Sequence, residues 1–291
     1  MATLKTIRKR IVSVKNTQKI TKAMKMVSAA KLRRAQQRLM GARPYAQKMN
    51  ELVSHIAALA PSSAHPLLGR REEVKKVEFL VLSSDRGLCG GFNGNLLRKV
   101  ERQMVAGKQK YEQIQFSVVG KKGRDFFVAR HLTPEQTQTS IYDTFNFAQA
   151  LNMAAQITEG YLTEKFDEYY LAYNKFISAI SQEVVTIRIL PFEVHTTDTQ
   201  TSSENYTPEY IYEPSRAGIL DALLPKALAT TIYQAFLESI AGEHGARMAA
   251  MDAATNNSRE MIRRLTLQSN RLRQAAITKE LMDIVNGAEA L

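Results

Sequence analysis

The sequence predicts an α/β protein: a long antiparallel two-helix coiled coil formed by both ends of the chain, with a compact α/β domain between them. Three observations predict it. Residues 4–60 keep a 3.5-residue apolar repeat, the mark of a helix wound on another helix. Short apolar runs and helix-like stretches alternate through the middle, as in a mainly parallel sheet. From about Glu213 the helical period returns and runs nearly to the end.

Alternating steps of three and four from Leu4 reach Ile7, Ile11, Val14, Gln18, Thr21, Lys25, Ser28, Leu32, Ala35, Leu39, Ala42, Ala46, Met49, Val53, Ile56 and Ala60. Thirteen of these seventeen positions are apolar. At 1.5 Å per residue the helix is about 85 Å long, against about 30 Å for a small domain. It is therefore expected to protrude, with something lying beside it. The polar seam positions Gln18, Thr21, Lys25 and Ser28 are where the two-helix packing should be weakest. Ile20, Met24 and Val27 lie on a neighbouring face there, so a different partner is expected at that level. Pro44 removes a backbone donor inside the pattern, which predicts a kink or a break. The helix should end near Ala60-Pro61.

Residues 62–71, with Pro66 and Gly69, read as a linker. The middle domain, residues 75–208, begins with Val77-Glu78-Phe79-Leu80-Val81-Leu82, a short buried strand. A Gly-rich turn follows (Gly87-Leu88-Cys89-Gly90-Gly91), then a helix over 95–106. Phe116-Ser117-Val118-Val119 is a second strand, closed by Gly120-Lys121-Lys122-Gly123. Helices are expected over 124–130 and 144–166, and further strands over 169–173 and 184–190. Residues 191–208 are polar and turn-rich.

The last domain, residues 209–291, is the second coiled-coil helix, as 1–60 is the first. Leu220, Leu223 and Leu224 open it. Pro225 sits in the first turn of a new helix or kinks an existing one. Ile232, Ala235, Ser239, Gly242, Ala246, Ala249 and Ala253 continue a stripe of small residues that lets a partner backbone come close. Met261, Leu265, Leu272 and Ala276 extend it to about Asn286, with Gly287 as a C-cap.

The chain has 291 residues, 44% of them hydrophobic, and contains no apolar run long enough to span a membrane. One cysteine, Cys89, excludes an intrachain disulfide. The net charge of +12 is carried by the first helix, since residues 1–58 hold 14 basic side chains against one acid. A basic rod suits a negative partner: nucleic acid, anionic lipid or an acidic protein. An alternative reading is thus a nucleic-acid-binding protein, though no recognised reading motif is present. An organelle transit peptide would also be Arg-rich, but the heptad pattern runs far past any cleavable leader.

Few groups suggest chemistry. Gly87-Leu88-Cys89-Gly90-Gly91 lacks the G-x-G-x-x-G spacing. Gly120-Lys121-Lys122-Gly123 lies between strand and helix, where amides can hold a phosphate, but it lacks the hydroxyl for magnesium. Tight turns needing glycine are the preferred reading of both. Cys89 has no histidine nearby in sequence, and the five histidines are scattered without metal-ligand spacing. No cofactor or metal is expected. Arg271, Arg273 and Gln274 are either solvated side chains or polar contacts to a surrounding protein.

Several stretches together resemble the gamma subunits of rotary ATP synthases. They are Ile7-Arg8-x-x-Ile11-x-Ser13-Val14-x-Asn16-Thr17-x-Lys19-Ile20-Thr21-Lys22-Ala23-Met24, Ser84-Asp85-Arg86-Gly87-Leu88-Cys89-Gly90-Gly91, the region 178–182 after Asn174-Lys175-Phe176, Tyr212-Glu213-Pro214, Arg273-Gln274-Ala275-Ala276-Ile277-Thr278-Lys279-Glu280-Leu281, and Ile284-Val285-x-Gly287-Ala288. The resemblance implies a coiled-coil shaft with a Rossmann-like α/β domain. It implies a shaft turning inside a ring of alternating alpha and beta subunits, standing on a membrane c ring beside the epsilon subunit. Proton flow turns the shaft, and its asymmetry drives three catalytic beta sites through different states; the chemistry belongs to the beta subunits. Matched by motif, Arg273, Gln274 and Thr278 resemble polar contacts to a beta-subunit loop, and Met24 and Lys25 resemble the contact with that subunit's acidic lever. The chain lacks the chloroplast form's inserted cysteine pair, so thiol switching is not expected. Because the motifs start at the N-terminus, a bacterial chain without a transit peptide is expected, peripheral on the cytoplasmic face of the inner membrane.

Overall fold

The structure, a computed structural model, describes residues 3–58, 65–69, 71–192 and 216–289. The chain separates into two compact units, Met1–Ala30 with Arg247–Leu291, and Lys31–Ala246. Two long helices contribute to both: α1 spans Leu4–Ala58 and α5 spans Arg216–Glu289.

The larger unit holds a five-stranded sheet in the order β3-β2-β1-β4-β5. β1 (Lys76–Leu82) lies parallel to β2 (Gln113–Val119) and to β4 (Glu168–Phe176), and β2 lies parallel to β3 (Thr137–Gln138). β5 (Gln182–Leu190) returns antiparallel to β4. The crossovers are α2 (Phe92–Gly107) between β1 and β2, α3 (Lys121–Val128) between β2 and β3, and α4 (Phe147–Leu162) between β3 and β4. The sheet is mainly parallel, as the alternation predicts. Only β3 has no counterpart in the sequence reading, because two residues carry no detectable period.

The period of two explains the layering. Val77, Phe79 and Val81 pack with Leu96, Leu97 and Phe127 on the α2 and α3 side. Leu80 and Leu82 pack with Met49, Val53, Ile157, Leu224 and Phe236 on the α4 side. A continuous apolar run is what a strand covered on both faces requires. Glu78 sits in that run on the α4 side and is buried. α4 starts where a capping box allows: Asn146 Oδ1 accepts the Gln149 N–H at 3.0 Å and Gln149 Oε1 accepts the Asn146 N–H at 3.0 Å.

Several expectations need correction. α1 is continuous through Pro44, so no break occurs there. Pro44 is exposed, which lets water reach the carbonyl that its missing N–H leaves unpaired. Pro225 lies inside α5, nine residues beyond its start, and opens no new helix. Gly287 also lies within α5 and is not its C-cap. The stretch read as a linker holds a 3-10 turn at Pro66–Leu68 with Leu67 and Leu68 buried, so it is partly packed. Residues 59–64, 70, 193–208 and the Tyr212-Glu213-Pro214 motif lie outside the described residues.

The small residues of α5 do admit close neighbours, but in this unit these are the β4–β5 turn, the start of β5 and the first residue of α2. A Cβ on Gly245 would come within 2.7 Å of the Ala179 carbonyl, in the turn between β4 and β5. A Cβ on Gly242 would lie 3.2 Å from the Phe92 ring and 3.3 Å from Gln182.

Candidate partner-contact surfaces

In the smaller unit the N-terminal part of α1 runs antiparallel to α5. Ile7 and Ser28 are buried, and Leu4, Ile11, Val14, Gln18 and Lys25 are half-buried, so the seam read from the sequence is the one observed. The polar stretch is not loose. Thr21 and Ser28 are 8% and 3% exposed, and the Thr255 hydroxyl oxygen lies 2.8 Å from that of Thr21 and 2.7 Å from the Met251 carbonyl. Thr21 donates to the Gln18 carbonyl at 3.1 Å. Lys25 Nζ meets Asp252 Oδ1 at 2.6 Å. α5 thus supplies polar partners where α1 has polar seam residues, which overturns the expectation of weak packing there.

The facing stripe on α5 is Met251, Thr255, Ser258, Ile262, Leu265, Ser269 and Leu272, each buried or half-buried. Ala253 and Met261, which the sequence reading placed on the stripe, are exposed. Alanine-rich helix offers little apolar contrast, so the sequence left the register ambiguous between adjacent rows. Asp252 and Thr255 were missed for the same reason.

Thr21 opposite Thr255 and Lys25 opposite Asp252 fix the antiparallel register, which brings Leu4 level with Leu272. Beyond that point no described side chain of α5 is buried. Ile277, Leu281 and Ile284, at i, i+4 and i+7, form an exposed apolar stripe. Arg273, Gln274 and Thr278 are exposed on this bare stretch. Met24 and Lys25 are half-buried, and Lys25 is tied to Asp252. Twenty-one residues separate Asp252 from Arg273, or about 30 Å of helix, so the sequence-derived residues form two separate surfaces. Near the first, Ile20 and Val27 are 60% and 58% exposed among lysines, the neighbouring face expected to meet something else.

The glycine loops of the larger unit hold the chain itself. The first turn of α3 spends its amides on the end of β1: Lys121 N–H donates to Asp85 Oδ1 at 3.1 Å, Lys122 N–H to the Ser84 carbonyl at 3.0 Å, and Gly123 N–H to Ser83 Oγ at 2.9 Å. Asp85 Oδ2 also accepts the Ser140 N–H at 2.9 Å. A carboxylate therefore sits where a phosphate would. Gly120 has φ +99°, and a Cβ there would lie 2.4 Å from the Ser83 carbonyl oxygen, so glycine is required by conformation and by contact. Cys89 is buried and its sulfur accepts a hydrogen bond from Asn93 Nδ2 at 3.2 Å. Among the described residues no group of three His, Cys, Asp or Glu could hold a metal, and no helix is long and apolar enough to cross a membrane.

The smaller unit pairs two antiparallel helices, one outrunning the other, and the larger is an α/β domain whose phosphate-like turn is internally capped; together they define the class of protein, coiled coil plus α/β. The comparisons give the particular kind. The ATP synthase family model matches residues 3–291. The ATP synthase gamma chain of Geobacter metallireducens is 48% identical over 291 residues, covering 100% of this chain and 99% of the relative. That of Anaeromyxobacter sp. strain Fw109-5 is 48% identical over 294 residues, covering 100% of both. The central stalk and c-ring structure of the Tetrahymena thermophila mitochondrial ATP synthase contains a chain 27% identical, with TM-score 0.61, covering 81% of this chain and 99% of that one. A chain of the Euglena gracilis mitochondrial ATP synthase shares the fold at TM-score 0.70 and 18% identity, covering 99% of this chain and 94% of that one. This chain belongs to the ATP synthase gamma chain family.

Proposed function

We propose that this chain is the central rotor shaft of an ATP synthase catalytic sector and couples proton flow to ATP synthesis by rotation. The central-stalk role follows from full-length similarity to gamma chains. The family match favours it over the nucleic-acid reading of the basic helix. The observation in this molecule that carries the shaft reading is the bare end of α5, with Ile277, Leu281 and Ile284 unpaired within the described chain. A lone helix of about 15 residues is marginal in water, so this end calls for a surrounding protein. An apolar stripe turns inside a sleeve with few fixed bonds to break.

In this proposal the sleeve is a hexamer of alternating alpha and beta subunits. Arg273, Gln274 and Thr278 supply its polar contacts to a beta-subunit loop. Met24 and Lys25, with Ile20 and Val27 beside them and a strongly basic helix around them, meet an acidic segment of the beta subunit. The epsilon subunit and the membrane c ring are the proposed partners of the rest of the rotor. The chain would then be peripheral to the inner membrane on its cytoplasmic face, a placement supported by bacterial relatives such as that of Geobacter metallireducens.

The test is co-purification of the tagged chain from its host. Alpha and beta subunits in about threefold excess, the ratio the family resemblance implies, with ATPase activity, support the proposal. Recovery of the chain alone, or with nucleic acid that washes off in salt, overturns it. Removing residues 275–291 should weaken assembly or ATP-driven proton pumping, and an uncoupling-free truncation would remove the role given to the tip.

A further inference from the structure

A cavity of about 70 Å³ opens between α4 and the face of the sheet formed by β1, β2, β3 and β4. That is room for about five waters, or for a head group of that size. Its floor is unusual for an α/β core. Glu78, Ser117 and Tyr169 line it and are 5%, 7% and 4% exposed. Ser117 Oγ donates to Glu78 Oε1 at 3.0 Å. Among the described residues, Glu78 Oε2 and the Tyr169 hydroxyl have no hydrogen-bond partner. Gln136, Gln156 and Lys165 also line the cavity and stand exposed at its mouth.

Neither Glu78 Oε2 nor the Tyr169 hydroxyl is among the fully buried unpaired atoms of the described residues, so both face the cavity, where water or a cation can meet the carboxylate. Burial raises the Glu78 carboxyl above its ordinary value, while Ser117 and the charge of Lys165 pull it back. Burial, and secondarily Glu78, raise the Tyr169 hydroxyl well above its own value, so it stays a neutral donor and acceptor. The donor set argues against a divalent metal, since one carboxylate and neutral oxygens are a weak shell and Lys165 stands nearby. It suits an ammonium group, which carries three N–H donors. Lys165 and the glutamine amides at the mouth suit an anionic end on the same molecule.

We propose that this cavity binds small zwitterionic amines of the amino-acid type, ammonium inward on Glu78 and Tyr169, carboxylate outward toward Lys165. This is independent of the shaft reading and concerns the α/β domain alone. A ligand of so few atoms binds weakly, in the millimolar range.

The test titrates the full chain with glycine, methylammonium and acetate, read by NMR of labelled tyrosine and by calorimetry. Glycine should bind tightest, methylammonium more weakly and acetate not at all. Glycine affinity should rise with pH as Glu78 ionises. Glu78→Gln should lower glycine and methylammonium affinity at least tenfold. Lys165→Ala should lower glycine to the level of methylammonium and leave methylammonium unchanged. Should Glu78→Gln fail to fold, Tyr169→Phe gives the same reading, with a loss for both amines. Acetate binding as well as glycine, or no response of Tyr169 to any of the three, overturns the proposal and leaves a water-filled cavity.

Discussion

The hydroxyl oxygens of Thr21 and Thr255 lie 2.8 Å apart across the helix seam, with Lys25 and Asp252 at 2.6 Å one turn away. Each hydroxyl also has a carbonyl partner on its own helix, Gln18 for Thr21 and Met251 for Thr255, so sliding one helix by a turn would lose the contact between them and the Lys25–Asp252 pair. Thr21→Val and Thr255→Val should each cost about 1 kcal/mol, since each removes the hydrogen bond between the helices and one to a carbonyl of its own helix. The double variant should cost less than the sum of the two. Thermal unfolding of the four proteins gives the coupling, and strict additivity would remove the pair's proposed role.

Arg273, Gln274 and Thr278 are exposed, so alanine at each should leave the stability of the isolated chain within about 0.5 kcal/mol. Lys25→Ala removes an ion pair whose side chains are 42% and 46% exposed, and should cost at most about 1 kcal/mol. Coupling of ATP hydrolysis to proton pumping in the assembled enzyme should nevertheless fall for all four. Melting temperature measured beside pumping separates the two effects. Loss of stability without loss of coupling would reassign these residues to the chain's own fold.

Two glycines should respond in opposite directions. Gly120→Ala forces a side chain onto φ +99° and against the Ser83 carbonyl, and should cost about 3 kcal/mol or more. Gly41→Ala meets no atom within 4 Å in the middle of α1, and should stabilise by about 0.5–1 kcal/mol. Denaturant unfolding of both variants checks the sign.

Acid should weaken the α/β unit through Asp167. Burial works to raise this carboxyl, but N–H bonds from Lys76 at 2.7 Å and Lys75 at 2.8 Å, with Arg71 at 2.6 Å, outweigh it and hold it low. A depressed carboxyl stabilises fully above its ordinary value of 3.8, and that stability is lost as pH falls through the folded value. Glu78 has the opposite sign: its folded value is raised, so it burdens the fold at neutral pH and the burden lifts on acidification. Asp167→Asn should therefore flatten the acid limb of a stability-against-pH curve. Glu78→Gln should raise the melting temperature at neutral pH, with the gain shrinking toward pH 4.5, its ordinary value.

Local pattern carried far in this chain. The seam of α1 was legible because apolar residues fill thirteen of the seventeen positions of a 3.5-residue repeat over 57 residues, a signal that needs no knowledge of the partner. The strand-helix alternation was legible for a similar reason, since β1, β2, β4 and β5 are apolar runs closed by turns. The matched motifs that carry the gamma-chain resemblance are also local, and they span the chain. The tertiary structure alone decided what depends on two distant segments meeting. It placed α5's stripe on Thr255 and Ser258 instead of Ala253, gave the α3 amides to Asp85, and set Gly245 against the β4–β5 turn. It also fixed that α5 outruns α1 beyond Leu272, leaving Arg273, Gln274 and Thr278 bare. Periodicity states which face of a helix is buried, but the register between two helices is set by contacts between residues far apart in the chain, and no single segment encodes it.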